Sequence, residues 1–124
     1  MKLFTLSEAN ELLPGVSANL KTIQKLYARI DTYRDAARSA AVASEFGGGM
    51  KGGSQYVKAL YEIGKITTEL HELGIQLKDY SRGLIDFPSM REGRVVLLCW
   101  QLGEDEQIEW WHELEAGFAG RQPL

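Results

Sequence analysis

Residues 83–112 read GLIDFPSMREGRVVLLCWQLGEDEQIEWWH, and the folding of this stretch decides what kind of domain the chain can be. Its centre, Arg94 to Leu102, holds the longest apolar run. At a period of two, Val96, Leu98, Trp100 and Leu102 share one face, and Val95, Leu97 and Cys99 the other. A strand apolar on both faces is covered on both sides. One cover can be helical; the other must come from the C-terminal tail or a second subunit. Upstream, Leu84 to Phe87 predicts another strand, closed by Pro88 because proline suits a strand end or edge. Arg91-Glu92-Gly93 supplies the turn between the two. Ile75 to Lys78 predicts a short first strand. Ile108 to Leu114 fits strand or helix, and strand is preferred because residues 103–106 resemble a hairpin loop.

Before this stretch the period is helical. Thr5-Leu6-Ser7-Glu8 has the spacing of a capping box, which predicts a short helix from Leu6 to about Leu12. Pro14 removes a backbone donor and biases Leu13 away from helical geometry, so a break is expected there. A long helix should follow. Val16, Leu20, Ile23, Tyr27, Ile30, Arg34, Ala37 and Ala41 recur in steps of four and three, which puts them on one face. A third helix is predicted over 55–73, with Tyr56, Leu60, Ile63, Thr67 and Leu70 as its stripe. Lys58 with Glu62, and Lys65 with Glu69, have the spacing of surface ion pairs. Gly74 is placed to end that helix in a left-handed conformation. Between the long helices, residues 44–54 read as a flexible Gly-rich connector. They lack the Gly-Lys-Ser/Thr ending of a phosphate-binding loop and any strand leading in.

These elements predict an α+β fold. A long antiparallel helical hairpin, preceded by a short helix, packs on a small, mostly antiparallel sheet of three to four strands. At 124 residues the chain is expected to be one domain, with a helical part (5–74), a sheet part (75–116) and a tail (117–124). No apolar run approaches the ~20 residues of a membrane span. The N-terminus lacks the apolar core of a secretory signal, and a single Cys cannot form an internal disulfide. A cytoplasmic location is expected. The net charge is −3, which argues against a dedicated nucleic-acid binder. It is unevenly spread: eight basic against five acidic residues over 1–58, and six against twelve over 59–124. Such asymmetry can support end-to-end self-association.

Several motifs together resemble an uncharacterised prokaryotic family catalogued as domain of unknown function 2203. They are Phe4-Thr5-Leu6, Glu8-Ala9-Asn10, Leu12-Leu13-Pro14, Leu73-Gly74, Lys78-Asp79, Gly83 to Pro88, Gly93-Arg94, Leu98-Cys99-Trp100, Leu102-Gly103-Glu104, Trp111-His112-Glu113 and Gly117 to Arg121. The resemblance covers nearly the whole chain. It implies no activity.

The candidate chemistry lies in the last third. Asp86 sits between Ile85 and Phe87, where a carboxylate must pair with a cation, bind a metal or take up a proton. Glu104 follows the central strand, and His112 returns on the next. If the strands are neighbours, Asp86, Glu104 and His112 converge, and two carboxylates with an imidazole suit zinc, manganese or iron. Water on such an ion would support hydrolysis. Arg121 has a two-pronged guanidinium that can clamp an anion, or lock the tail to Asp86 or Glu104. Cys99, in mid-strand, reads as inert packing, and His71 as a favourable charge at a helix C-terminus. Residues 104–115 carry six acids and no Lys or Arg. They suggest a docking face for a basic partner, with Trp110 or Trp111 as anchor.

Two functions follow. The first is a non-enzymatic protein-interaction module that forms a homodimer through its helices, without a cofactor. The second is a metal- or small-anion-binding protein, including a metal-dependent hydrolase, with its site among Asp86, Trp100, Glu104, Trp111, His112 and Arg121.

Overall fold

A computed structural model describes residues 1–44 and 53–124; most of the Gly-rich connector lies outside the described residues. The chain forms α1 (Leu6–Ser44), α2 (Gly53–Leu73), and strands β1 (Gln76–Asp79), β2 (Leu84–Arg91), β3 (Arg94–Gln101), β4 (Trp110–His112) and β5 (Gln122–Pro123). The predicted α+β architecture is borne out. The sheet is an antiparallel meander in the order β1-β2-β3-β4-β5. It has one strand more than expected, because β5 recruits the tail as an edge, where Pro123 lacks no needed donor. No helix among the described residues is long and apolar enough to cross a membrane.

The capping box forms: the Thr5 amide donates to Glu8 Oε1 at 3.0 Å, and the Glu8 amide to Thr5 Oγ1 at 3.1 Å. The expected break does not follow. α1 runs unbroken through Pro14 for 39 residues, roughly 58 Å at helical rise. Proline inside a helix costs ~3 kcal/mol, but Ala9, Leu13, Val16, Leu20 and Ile23 are all buried on one face. Their shared packing holds both sides of the proline on a common axis. Arg34, although it falls in the apolar stripe, reaches Asp31 on its own helix at 3.2 Å.

α2 packs antiparallel to α1. Ala59 and Ile63 near its start cluster with Ile30, whereas Ile66 and Leu70 near its end join Val16, Leu20 and Ile23. The buried row is therefore Ala59, Ile63, Ile66 and Leu70. Leu60, expected in that stripe, is 45% exposed. Gly74 ends the helix at φ +96°, with a Cβ there falling 2.6 Å from Lys2 Cβ. No other residue satisfies both the left-handed backbone and the close approach.

β2 does not stop at Pro88. Proline can sit mid-strand because β1 pairs only as far as Asp86, leaving that side of β2 open. The Pro88 carbonyl faces the open side and accepts from the Phe4 amide at 2.7 Å. Its missing N–H is therefore not required by β3. Ser89 Oγ donates to the Phe4 carbonyl at 2.6 Å, so the N-terminal segment covers the gap. Glu92 (φ 51°) and Gly93 (φ 79°) form the two-residue hairpin turn that the twist of paired strands favours.

The alternation read for the central strand is also borne out. Val96, Leu98 and Trp100 join Ile85, Phe87 and Trp111 against the helices in one core. Leu97 and Cys99 face the opposite way and are buried too.

Candidate functional site

The underside of the sheet, away from the helices, gathers most of the chain's unusual chemistry. Directly paired antiparallel residues share a face. The register sets Asp86 opposite Cys99 and His112 opposite Leu97, so Asp86, Cys99 and His112 project on the same side. One comes from each of three adjacent strands. Their side chains lie where water does not reach: Asp86, His112 and Cys99 are 2%, 2% and 1% exposed.

His112 Nε2 lies 3.1 and 3.2 Å from the two Asp86 oxygens, and Nδ1 lies 2.7 Å from the Glu113 carbonyl. A carbonyl only accepts, so Nδ1 carries a proton. Each side chain thus supplies the other's hydrogen-bonding partner, which offsets much of the cost of burying two polar groups. The Cys99 thiol donates to Asp86, and its pKa is pushed up to about 12, first by burial and then by the adjacent Asp86 charge and hydrogen bond. It is therefore a protonated thiol at neutral pH. Folding thus holds a proton that the unfolded chain releases near pH 9. The thiol's contribution to stability is full below that pH and falls as pH rises toward 12. Urea titrations of the metal-free protein at several alkaline pH values should show this loss, and Cys99→Ala should flatten it. An unchanged slope would rule out the buried thiol as its source.

The structure separates the predicted ligand trio. Asp86 and His112 meet, but Glu104 is engaged elsewhere. Its carboxylate accepts from Arg121 Nη2 at 2.8 and 2.9 Å and from the Gln101 amide at 2.6 Å. Among the described residues, Cys99 takes the third place: one ligand atom each from Asp86, Cys99 and His112 lie within 4.8 Å of one another. Arg121 also stacks on Trp110 and Phe118, at 5.1 and 4.7 Å from the ring centres, and so fastens the tail below the sheet.

Trp111 does not serve as an exposed anchor. It is 6% exposed in the helix-side core, beneath Arg91 and Arg94. Trp100 is likewise buried, and its indole donates to the Asp105 carbonyl at 2.8 Å. It floors a groove of about 890 Å³ between Asn10, Pro14 and Lys21 of α1 and the 102–107 loop. Of the acidic run, Glu113 is paired with Arg94, whereas Asp105, Glu106, Glu109 and Glu115 are exposed. Asp105 raises the Glu109 pKa above the ordinary carboxylate value, by favouring a proton shared between the two carboxyl groups and as a like charge beside it.

The outer face of α2 is the second feature. Val57, Leu60 and Tyr61 are 63%, 45% and 68% exposed, and with Gly64 and Thr68 they follow helical spacing on the side away from α1. Leu60, Tyr61 and Gly64 line a shallow hollow of about 520 Å³. Lys58, Glu62, Lys65 and Glu69 flank this stripe. The intrahelical pairs expected from their spacing are not formed, and among the described residues none of the four has a partner.

Cys99 escaped the sequence-level site because a mid-strand cysteine looks like packing. A signal for it did exist: a two-residue turn at Glu92-Gly93 pairs Arg91 with Arg94, and counting back places Asp86 opposite Cys99.

Fold and site together define a small α+β protein with a helical hairpin above an antiparallel meander and a buried polar cluster below it. The family model described as "Uncharacterized conserved protein (DUF2203)" matches residues 2–124, and the chain belongs to that family. No curated protein and no solved structure matches it.

Proposed function

We propose that this chain is a cytoplasmic interaction module that works as a homodimer through the outer face of α2. The observation that carries the reading is the charge order beside the exposed stripe: Lys58, Glu62, Lys65, Glu69. Reversed end to end, this series inverts every sign. Two copies of α2 packed antiparallel about a two-fold axis between Ile63 and Gly64 bring Lys58 opposite Glu69 and Lys65 opposite Glu62. A two-fold interface needs such self-complementarity, and flanking charges of this kind set partner and orientation in helix pairs. A parallel pairing would leave the two charge rows on opposite sides of the interface, out of each other's reach. Gly64 lets the backbones approach, and Leu60 and Tyr61 supply apolar area. Without a partner these residues would leave an apolar patch in water.

The exposed acids of residues 105–115 suit a basic segment of a further partner. The hydrolase reading has less support. Asp86 and His112 bond to each other in the interior, and each is only 2% exposed.

Light scattering on the eluting wild-type protein should return twice the 13.9 kDa chain mass. Lys58→Glu with Lys65→Glu should shift the mass toward that of a single chain. Adding Glu62→Lys and Glu69→Lys to the same chain inverts the whole series and should restore the dimer. A monomeric wild type would refute the dimer. A dimer indifferent to the first pair of changes would refute its placement on α2.

A further inference from the structure

We propose that Asp86, Cys99 and His112 form a binding site for a transition-metal ion, zinc by preference, that pins β2, β3 and β4 together. This proposal does not depend on the dimer. The three residues offer a carboxylate oxygen, a thiol sulfur and an imidazole nitrogen, all within 4.8 Å of one another. A tetrahedral zinc ion would hold such atoms roughly 3.5 Å apart, given its usual bond lengths. Only side-chain adjustment of about an ångström is needed, from groups already on one face of one sheet.

Two further features of the cluster favour a metal. The first is the outward nitrogen of His112. Nδ1 donates to the Glu113 carbonyl at 2.7 Å, which turns Nε2 toward Asp86 and Cys99. A backbone carbonyl holding the far nitrogen is the usual support for a metal-bound histidine, because it sets both tautomer and ring direction. The second is charge. A divalent ion held by a thiolate, a carboxylate and a neutral imidazole makes a cluster with no net charge, so the filled site places none in the interior. The donor set of one soft sulfur, one nitrogen and one hard oxygen fits zinc or cobalt better than magnesium or calcium, which take oxygen alone.

Burial assigns the ion a structural role. With ligand residues 1–2% exposed, a substrate has no route to the ion, whereas three neighbouring strands are joined through it. A fourth, non-protein ligand completes the tetrahedron. An ion bound only by the folded state raises stability with its concentration.

The test uses the full chain, expressed without a His tag and purified without chelator. Elemental analysis should find one equivalent of zinc, and the melting temperature should fall on treatment with a chelator and recover with added zinc. Cobalt(II) added to the stripped protein should give a thiolate-to-cobalt charge-transfer band in the near ultraviolet and release protons in weakly buffered solution. Cys99→Ser should abolish the sulfur band, and His71→Ala should leave it unchanged. A wild-type protein with no bound metal and no cobalt band would overturn the proposal without any variant having to fold. So would a sulfur band that survives in Cys99→Ser.

Discussion

Replacing Asp86 with Leu should destabilise the chelator-treated protein by about 3–5 kcal/mol, the usual penalty for removing one member of a buried ion pair. His112 would be left with its Nε2 unpaired in an interior where the imidazole is 2% exposed. Either the ring keeps its second proton without a counter-charge, or it loses that proton and buries a bare acceptor. Asp86→Asn should cost far less. Its amide NH₂ can donate to Nε2 of the neutral ring, while Nδ1 continues to donate to the Glu113 carbonyl. Double replacement of Asp86 and His112 by apolar residues of similar volume should recover most of the loss, because nothing polar is then stranded. Urea unfolding of the four proteins measures this directly. A loss below about 1 kcal/mol for Asp86→Leu would mean that the pair is not sealed from water.

The second large effect should come from Phe87→Ala, at ~3–5 kcal/mol and a drop of roughly 10–20 °C in melting temperature. Phe87 is fully buried at the helix–sheet boundary and meets the Phe4 ring edge-on at 5.3 Å and 85°. Its removal opens a cavity at the point where the N-terminal segment, β2 and the helices meet. For a domain whose total stability is ~5–15 kcal/mol, much of the folded population is at stake at elevated temperature. Phe87→Leu retains most of the volume and should lose much less. Equal losses for Ala and Leu would point to the edge-on ring contact and not to the cavity.

The site is partly legible in the sequence. Asp86 announced itself as a carboxylate in an apolar strand, and it pairs with His112. Of the roles open to Arg121, anion clamp or tail lock, its contact with Glu104 matches the second. Other details were not readable for definite reasons. Pro14 carries a local penalty that only the joint burial of Leu13 and Val16 offsets. Leu60 and Ala59 are neighbours in sequence, and a rotation of one residue's worth of helix decides which faces α1. Trp111 has the composition of an interface residue, but the direction of its side chain depends on the register of β4.

Local chemistry determined the helix start at Thr5, the left-handed stop at Gly74, the turn at Glu92-Gly93 and the two-faced character of the central strand. Each depends on residues a few positions apart. The same turn also sets Asp86 opposite Cys99, since a two-residue loop leaves no freedom in register. The arrival of His112 beside them was decided only by tertiary structure. Eight residues, 102–109, separate β3 from β4, and a connection of that length permits several pairings. Burial of Ile108 and Trp111, the Asn10 bond to the Ile108 amide at 2.8 Å and the Arg121 lock on Glu104 together select the one pairing that turns the imidazole inward.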